Sequence, residues 1–132
     1  LECLKILPNQ PYVLNYLAYT WIDKNTNINK ALDMLKLAND LEPNNGYIID
    51  SLGWAYYLRK NYNEAEKYLQ KAVQLNPLDP IINDHYADSL WMVKKKIQAK
   101  YFWKYVLGLD NVKQKTKIGI NKKLVFGINY NL

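Results

Sequence analysis

The sequence predicts an all-α protein, an α-solenoid of antiparallel helix pairs built from three units and a C-terminal capping helix. Three observations predict it. Leu75-Asn76-Pro77 echoes Leu41-Glu42-Pro43 at a spacing of 34 residues, and self-similarity at such a period marks stacked supersecondary units. Ile49, Leu52, Gly53 and Tyr56 fall at i, i+3, i+4 and i+7, one face of an amphipathic helix. Glycine and proline are sparse, five each in 132 residues, and β-branched clusters are few, which favours helices. With 49% hydrophobic and 23% charged residues, the chain has the means to bury a modest core rather than stay disordered.

The elements follow in order. LECLKILP at the start puts Cys3, Ile6 and Pro8 where a preceding unit would carry Ala, Leu and Pro, so residues 1–10 are expected to end another repeat's second helix. The chain also lacks an initiator Met, and it is expected to be the C-terminal piece of a longer repeat protein. Unit one, residues 11–44, carries the ladder Ala18, Trp21, Ala31, Leu35, Ala38, Leu41, with one inserted residue in the polar stretch DKNTNIN, where a loop tolerates it. Unit two, residues 46–79, has two helices of about 14 residues joined at Lys60-Asn61. Its second helix shows the face Tyr62, Ala65, Leu69, Ala72, Val73. Pro43 and Pro77 stop the second helices through a missing N–H and a fixed φ.

Gly53 in SLGWAYY and Ala65 are expected to lie at the crossing of the paired helices, where any larger side chain would force the backbones apart. It is not a phosphate loop, because the further glycines and the Lys-Ser/Thr are missing. Unit three, residues 80–112, repeats the ladder as Ala87, Leu90, Ala99, Trp103, Val106, Leu109. It departs at Asn83, where a large apolar residue is usual, and no proline follows Leu109. Val112, Ile118, Leu124 and Val125 are expected to cover the last apolar face from a capping helix over residues 113–126, which solubility of a repeat array requires. Gly119 and the pair Ile118/Ile120 weaken that helix, and residues 127–132 are expected to fray.

This ladder resembles the tetratricopeptide repeat (TPR), and GYIIDSLGWAYYLRKNYNEAEKYLQKAVQLNP matches nearly every position of its pattern. The resemblance covers residues 11–109. More loosely, NYLAYTW…GYIIDSLGWAYY…INDHYADSLW is similar to C-terminal repeats of larger bacterial proteins of an alphaproteobacterial type. Membership implies a right-handed stack of helix pairs whose concave face binds segments of other proteins. It also implies which positions line that face: Tyr12, Asn15, Tyr19, Ile22 and Asp23 in unit one, then Tyr47, Asp50, Trp54, Tyr57 and Leu58, then Ile81, Asp84, Asp88, Trp91 and Met92. Some relatives grip a peptide's terminal carboxylate there with Lys, Asn and Arg. The corresponding places here hold Asn15, Asp50 and Asp84, so that clamp is absent from units two and three.

The chemistry of the stripe is aromatic and acidic. Tyr and Trp are favoured at interfaces, and the carboxylates select a basic or neutral partner over an acidic one, with Lys or Arg stacking on Trp54 or Tyr57. The bland alternative is that the chain buries the stripe itself, under an upstream repeat or its own tail.

Charge is uneven. Residues 1–93 carry seven Lys and one Arg against eleven acids, whereas residues 94–132 carry ten Lys against Asp110 alone. Lysines on a last helix are commonly solvated surface, but two further readings use them. One docks residues 113–123 on the acidic groove of a neighbouring copy, giving a homo-oligomer. The other, ranked last, binds nucleic acid or anionic lipid, because the basic segment lacks interleaved stacking aromatics.

Catalysis is not expected. His85 is the lone histidine, without a second strong nitrogen ligand for a metal, and it reads as a helix-face residue filling a repeat interface. Ser51, Ser89 and Cys3 lack a base beyond His85, and Glu64/Glu66 belong to a face expected to be exposed. No cofactor or metal is expected. One cysteine permits no internal disulfide, the compartment stays open, and no run approaches the roughly 18 apolar residues of a membrane span.

Overall fold

The computed structural model describes residues 10–128, so the expected end of a preceding repeat in LECLKILP and most of the expected frayed end lie outside the described residues. Seven helices and no strand occur among them: α1 Pro11–Asp23, α2 Ile28–Leu41, α3 Gly46–Leu58, α4 Tyr62–Leu75, α5 Pro80–Met92, α6 Lys96–Leu107 and α7 Gln114–Phe126. Pairs α1/α2, α3/α4 and α5/α6 pack as hairpins, and each second helix also packs on the next first helix. The first helices α1, α3 and α5 meet in sequence and form one face of the stack. The fold is an all-α helical-repeat solenoid.

Local chemistry sets the boundaries. Pro11 and Pro80 open α1 and α5 where a missing N–H is harmless. Asn45 caps α3 by accepting from the backbone N–H of Tyr47 and Ile48 at 2.9 and 3.2 Å, and Asp79 caps α5 by accepting from Ile82 at 3.0 Å. Each hairpin turn closes on a left-handed residue that is not glycine: Asn25, Lys60 and Lys94, at φ 53°, 67° and 73°. The next N–H then reaches back to the last turn of the first helix, as Asn61 to Tyr56 at 2.9 Å and Lys95 to Leu90 at 2.8 Å. Unit one has a second left-handed residue, Asn27 at φ 51°, in the longer DKNTNIN turn.

The core runs the length of the stack. Ala18, Ile22, Leu32, Leu35 and Leu52 fill its first part; Leu69, Tyr86, Leu90, Trp103 and Val106 fill the second, joined by Ile120 from α7. Gly53 is buried against α4, where the atoms nearest to an added Cβ belong to Leu69, and Ala65 on the same helix is fully buried. An added Cβ would lie 2.7 Å from Leu69 Cγ and 3.2 Å from the Leu69 backbone N. Asn83, the exception in the ladder, is fully buried and donates through Nδ2 to the carbonyls of Pro77 and Asp79 at 3.1 and 2.8 Å. It thus serves the entry to α5, a polar task that no apolar side chain performs.

The inward face of α7 differs from the expected one. Val112 and Leu124 pack on the core, but Ile118 and Val125 are exposed, and Ile120 is the residue fully buried. The face pointing inward therefore follows Ile120, Lys123, Leu124 and Gly127, and it carries a lysine.

Candidate functional site

The face formed by α1, α3 and α5 has an open end and a closed end. At the open end, Tyr12, Tyr19, Tyr47 and Ile81 are exposed, and Asn15 is half-buried beside them. Asn15, Tyr19, Tyr47, Asp50, Asp79 and Ile81 line a cleft of about 340 Å³ between α1, α3 and α5. The Asn15 Oδ1 is buried and has no hydrogen-bond partner among the described residues. Burial, then the nearby charges of Asp23 and Asp50, push the Tyr19 phenol up, so its O–H stays a neutral donor.

The middle of the face is a stack. Trp54 lies between Tyr57, with ring centroids 4.3 Å apart, and His85, 3.9 Å apart, both nearly parallel to it. Both faces of Trp54 are therefore taken, which corrects the expectation that a partner's Lys or Arg stacks on it. Tyr57 is pinned as well, edge-on to Tyr62 at 5.3 Å, and burial followed by the charge of Asp88 pushes its phenol up. His85 Nδ1 lies 2.9 Å from Asp50 Oδ1, which ties α5 to α3. A carboxylate only accepts, so Nδ1 carries the proton. Burial alone would lower the His85 pKa, yet the charge and hydrogen bond of Asp50 outweigh it and the value is raised. The histidine fills a repeat interface as expected of a helix-face residue, but its partner is Asp50 rather than its sequence neighbours.

The third unit's share of the stripe is closed by the chain's own C-terminal helix. Lys123 Nζ donates to Asp84 at 2.7 Å and to Asp88 at 2.8 Å, and Trp103 Nε1 donates to Asp88 at 3.0 Å. Gly127, at φ 77°, lies over Trp91 so closely that a Cβ would come within 2.5 Å of the indole. Trp91 packs in turn on Trp103 at 5.5 Å. Burial pushes the Asp88 carboxyl up, to about 6, against the pull of Lys123. Burial would lower Lys123, but Asp88 and Asp84 outweigh it and hold the ammonium charged. Asp84, Asp88 and Trp91, expected to line a free groove, are thus already partnered.

Two other expectations change. Glu66 is not on an open face: Lys95 Nζ meets it at 3.1 Å. Nor are the C-terminal lysines all solvated, since Lys123 is largely enclosed. Its position was encoded in the helical spacing of Ile120, Lys123, Leu124 and Gly127, four residues that share one face. Among the described residues no three His, Cys, Asp or Glu side chains are grouped to hold a metal ion, and no helix is long and apolar enough to cross a membrane.

Helix hairpins stacked in chain order are the architecture of a helical-repeat protein. Residues 47–79 match the family model described as "Tetratricopeptide repeat". The TPR repeat-containing protein PA4667 of Pseudomonas aeruginosa is 36% identical over 70 residues, 53% of this chain, and the match spans only 12% of that relative. Among solved structures, TTC0263, a thermophilic TPR protein of Thermus thermophilus, superposes with a TM-score of 0.79 at 17% identity, covering 94% of this chain and 69% of that one. The first TPR of Spaghetti (RPAP3), bound to the HSP90 peptide SRMEEVD, superposes with a TM-score of 0.74 at 20% identity, covering 85% and 88%. Residues 47–79 are thus a tetratricopeptide repeat by sequence, and the stack as a whole has the fold of TPR proteins.

Proposed function

We propose that this chain is a non-enzymatic scaffold whose concave face binds a segment of another protein, and that the segment is basic or neutral. The carrying observation is the open cleft, in which the aromatic walls Tyr19 and Tyr47 flank Asp50 and Asp79; each carboxylate uses Oδ1 within the chain, on His85 and on the Ile82 N–H, which leaves Oδ2 to face a ligand. Aromatic faces and carboxylates together suit a lysine or arginine side chain. The orphan Asn15 Oδ1 offers a further acceptor to a backbone or side-chain donor. A structural relative holds the acidic peptide SRMEEVD; here such a peptide would meet like charge. Tyr12, at the outer edge, and the Trp54/Tyr57 stack beneath give the site its apolar extent without being its charged contacts.

The test is fluorescence anisotropy of labelled ten-residue peptides, lysine- and arginine-bearing against glutamate-bearing, on wild type and on Tyr19→Ala/Tyr47→Ala. Both tyrosines are exposed, so the variant is expected to keep its helical circular dichroism. Basic peptides should bind, and the variant should weaken them by about tenfold or more. Equal binding of acidic peptides, or an unaffected variant, refutes the reading.

A second reading is assembly between copies, favoured by the seating of Lys123 on Asp84 and Asp88: in a neighbouring copy the same lysine would reach the same acids. A monomer in sedimentation at high concentration removes it.

A further inference from the structure

Away from the concave cleft, a smaller cavity of about 210 Å³ lies between the end of α4, the start of α5 and α6. Val73, Pro77, Asn83, Tyr101, Phe102 and Tyr105 line it. Three features of it are independent of the concave site. First, its size is below the roughly 300–1,000 Å³ of small-molecule and cofactor sites, so it accommodates a single side chain. Its walls are preset for an aromatic one: Phe102 packs edge-on to Tyr86 at 5.0 Å and to Tyr101 at 5.2 Å, and Tyr105 Oη donates to the Pro77 carbonyl at 3.2 Å.

Second, the cavity has an unanswered acceptor. The Asn83 amide is oriented by its two Nδ2 hydrogen bonds to Pro77 and Asp79, since turning it over would set Oδ1 against both carbonyls. Its Oδ1 is then left buried with no partner among the described residues. A buried acceptor without a donor is an uncommon and costly arrangement. Tyr101 shares the cavity wall with Asn83 and is 63% exposed, so its ring is free to shift and pack on an incoming one.

Third, α6, which supplies three of the lining residues, is basic. The helix KIQAKYFWKYVL has no acidic residue, and Lys94, Lys100 and Lys104 are exposed with no ion-pair partner among the described residues. Ile97 and Tyr101 stand exposed one turn apart on the same face, extending the apolar surface along α6.

We propose that this cavity, read with α6, is a docking site for an acidic segment of a partner protein that inserts one aromatic side chain bearing a ring N–H or O–H. The ring fills the space between Pro77, Phe102 and Tyr105, its donor meets Asn83 Oδ1, and flanking carboxylates meet Lys100 and Lys104. The charge it selects is opposite to that selected by the concave cleft, so the two sites do not compete for one partner.

Protein-observed ¹H–¹⁵N NMR titration tests this with indole, 1-methylindole, and the capped tripeptides Glu-Trp-Glu and Lys-Trp-Lys. Indole should cause saturable shifts at Val73, Tyr101 and the Asn83 side-chain amide. 1-Methylindole, which lacks the donor, should bind about fivefold more weakly. Glu-Trp-Glu should bind more tightly than Lys-Trp-Lys, with a gap that narrows as salt is added. Tyr101→Ala, at an exposed position, should weaken every probe by about tenfold while leaving basic-peptide binding at the Tyr19/Tyr47 cleft unchanged. Shifts confined to that cleft, no saturable shift, equal affinity for the two indoles, or an unaffected Tyr101→Ala each overturn the proposal. So does sedimentation showing dimers that Tyr101→Ala dissolves while no probe binds, which assigns the face to a second copy.

Discussion

Gly53 and Gly119 are both helical, yet an added methyl would meet opposite surroundings. At Gly53 it lies 2.7 Å from Leu69 Cγ and 3.2 Å from a backbone nitrogen; at Gly119 nothing lies within 4 Å. Overpacking at Gly53 should cost about 1–3 kcal/mol, offset by about 1 kcal/mol of better helix propensity. Gly53→Ala should therefore destabilise by on the order of 1 kcal/mol. Gly119→Ala should stabilise by about 0.5–1 kcal/mol. Urea midpoints of the two variants check both signs, and a stabilising Gly53→Ala would mean the α3–α4 crossing relaxes freely. The sequence marked Gly53 as a packing glycine from its place in the repeat. That Leu69 fills the space opposite it depends on how two helices are rotated against each other, which no single helix records.

Among the elements, α7 is the least legible. Its apolar residues do not form one stripe: Ile118, Val125 and Phe126 are exposed, and a single residue is fully buried. What seats α7 is the Lys123 ammonium between two carboxylates and Gly127 against Trp91. Lys123→Met would leave Asp84 and Asp88 facing each other in a largely enclosed site. Breaking such a pair, discounted for residual solvent access, should cost about 2–3 kcal/mol. Hydrogen exchange should report it locally, with α7 amides exchanging faster while α3 and α4 stay protected. Adding Asp84→Asn and Asp88→Asn should restore much of the loss, because an uncharged cluster needs no cation. Uniformly faster exchange across all helices would show instead that α7 unfolds only with the whole stack.

For the whole molecule, one charged cluster joins elements far apart in sequence: Asp50 on α3, His85, Asp84 and Asp88 on α5, Lys123 on α7. This gives the stability a defined pH dependence. His85 has a raised pKa in the folded state, so its contribution is fully present below the unfolded value of about 6.5 and is lost as pH rises through the folded value. Asp88 has the same sign: raised from 3.8 to about 6, it favours folding below about pH 4 and loses that contribution by about pH 6. Urea unfolding of wild type and His85→Gln should therefore show a stability gap that is widest near pH 6 and shrinks towards pH 9. A gap that is constant over that range would mean the Asp50–His85 contact is not an ion pair.

The repeat period, the helix pairs, the solenoid and the aromatic, acidic character of the first-helix stripe were determined by the sequence alone. They depend on spacing within a helix and on residues that recur at a fixed offset, both local properties. The tertiary structure decided which part of that stripe is open. The same residue types, tyrosine or tryptophan beside aspartate, occur in all three units. Yet Tyr19, Tyr47 and Asp50 border a cleft, while Asp84, Asp88 and Trp91 lie under Lys123 and Gly127. It also decided that Asn83 would hold an unpartnered oxygen beside an aromatic cavity. The closure of the third unit rests on contacts across 35 or more residues, Lys123 with Asp88 and Asp84, and the Asn83 cavity on the packing of α6 against α4 and α5. A side chain's pattern along its own helix states which face it shares, but only the packing of another helix states whether that face meets solvent, a lysine or nothing.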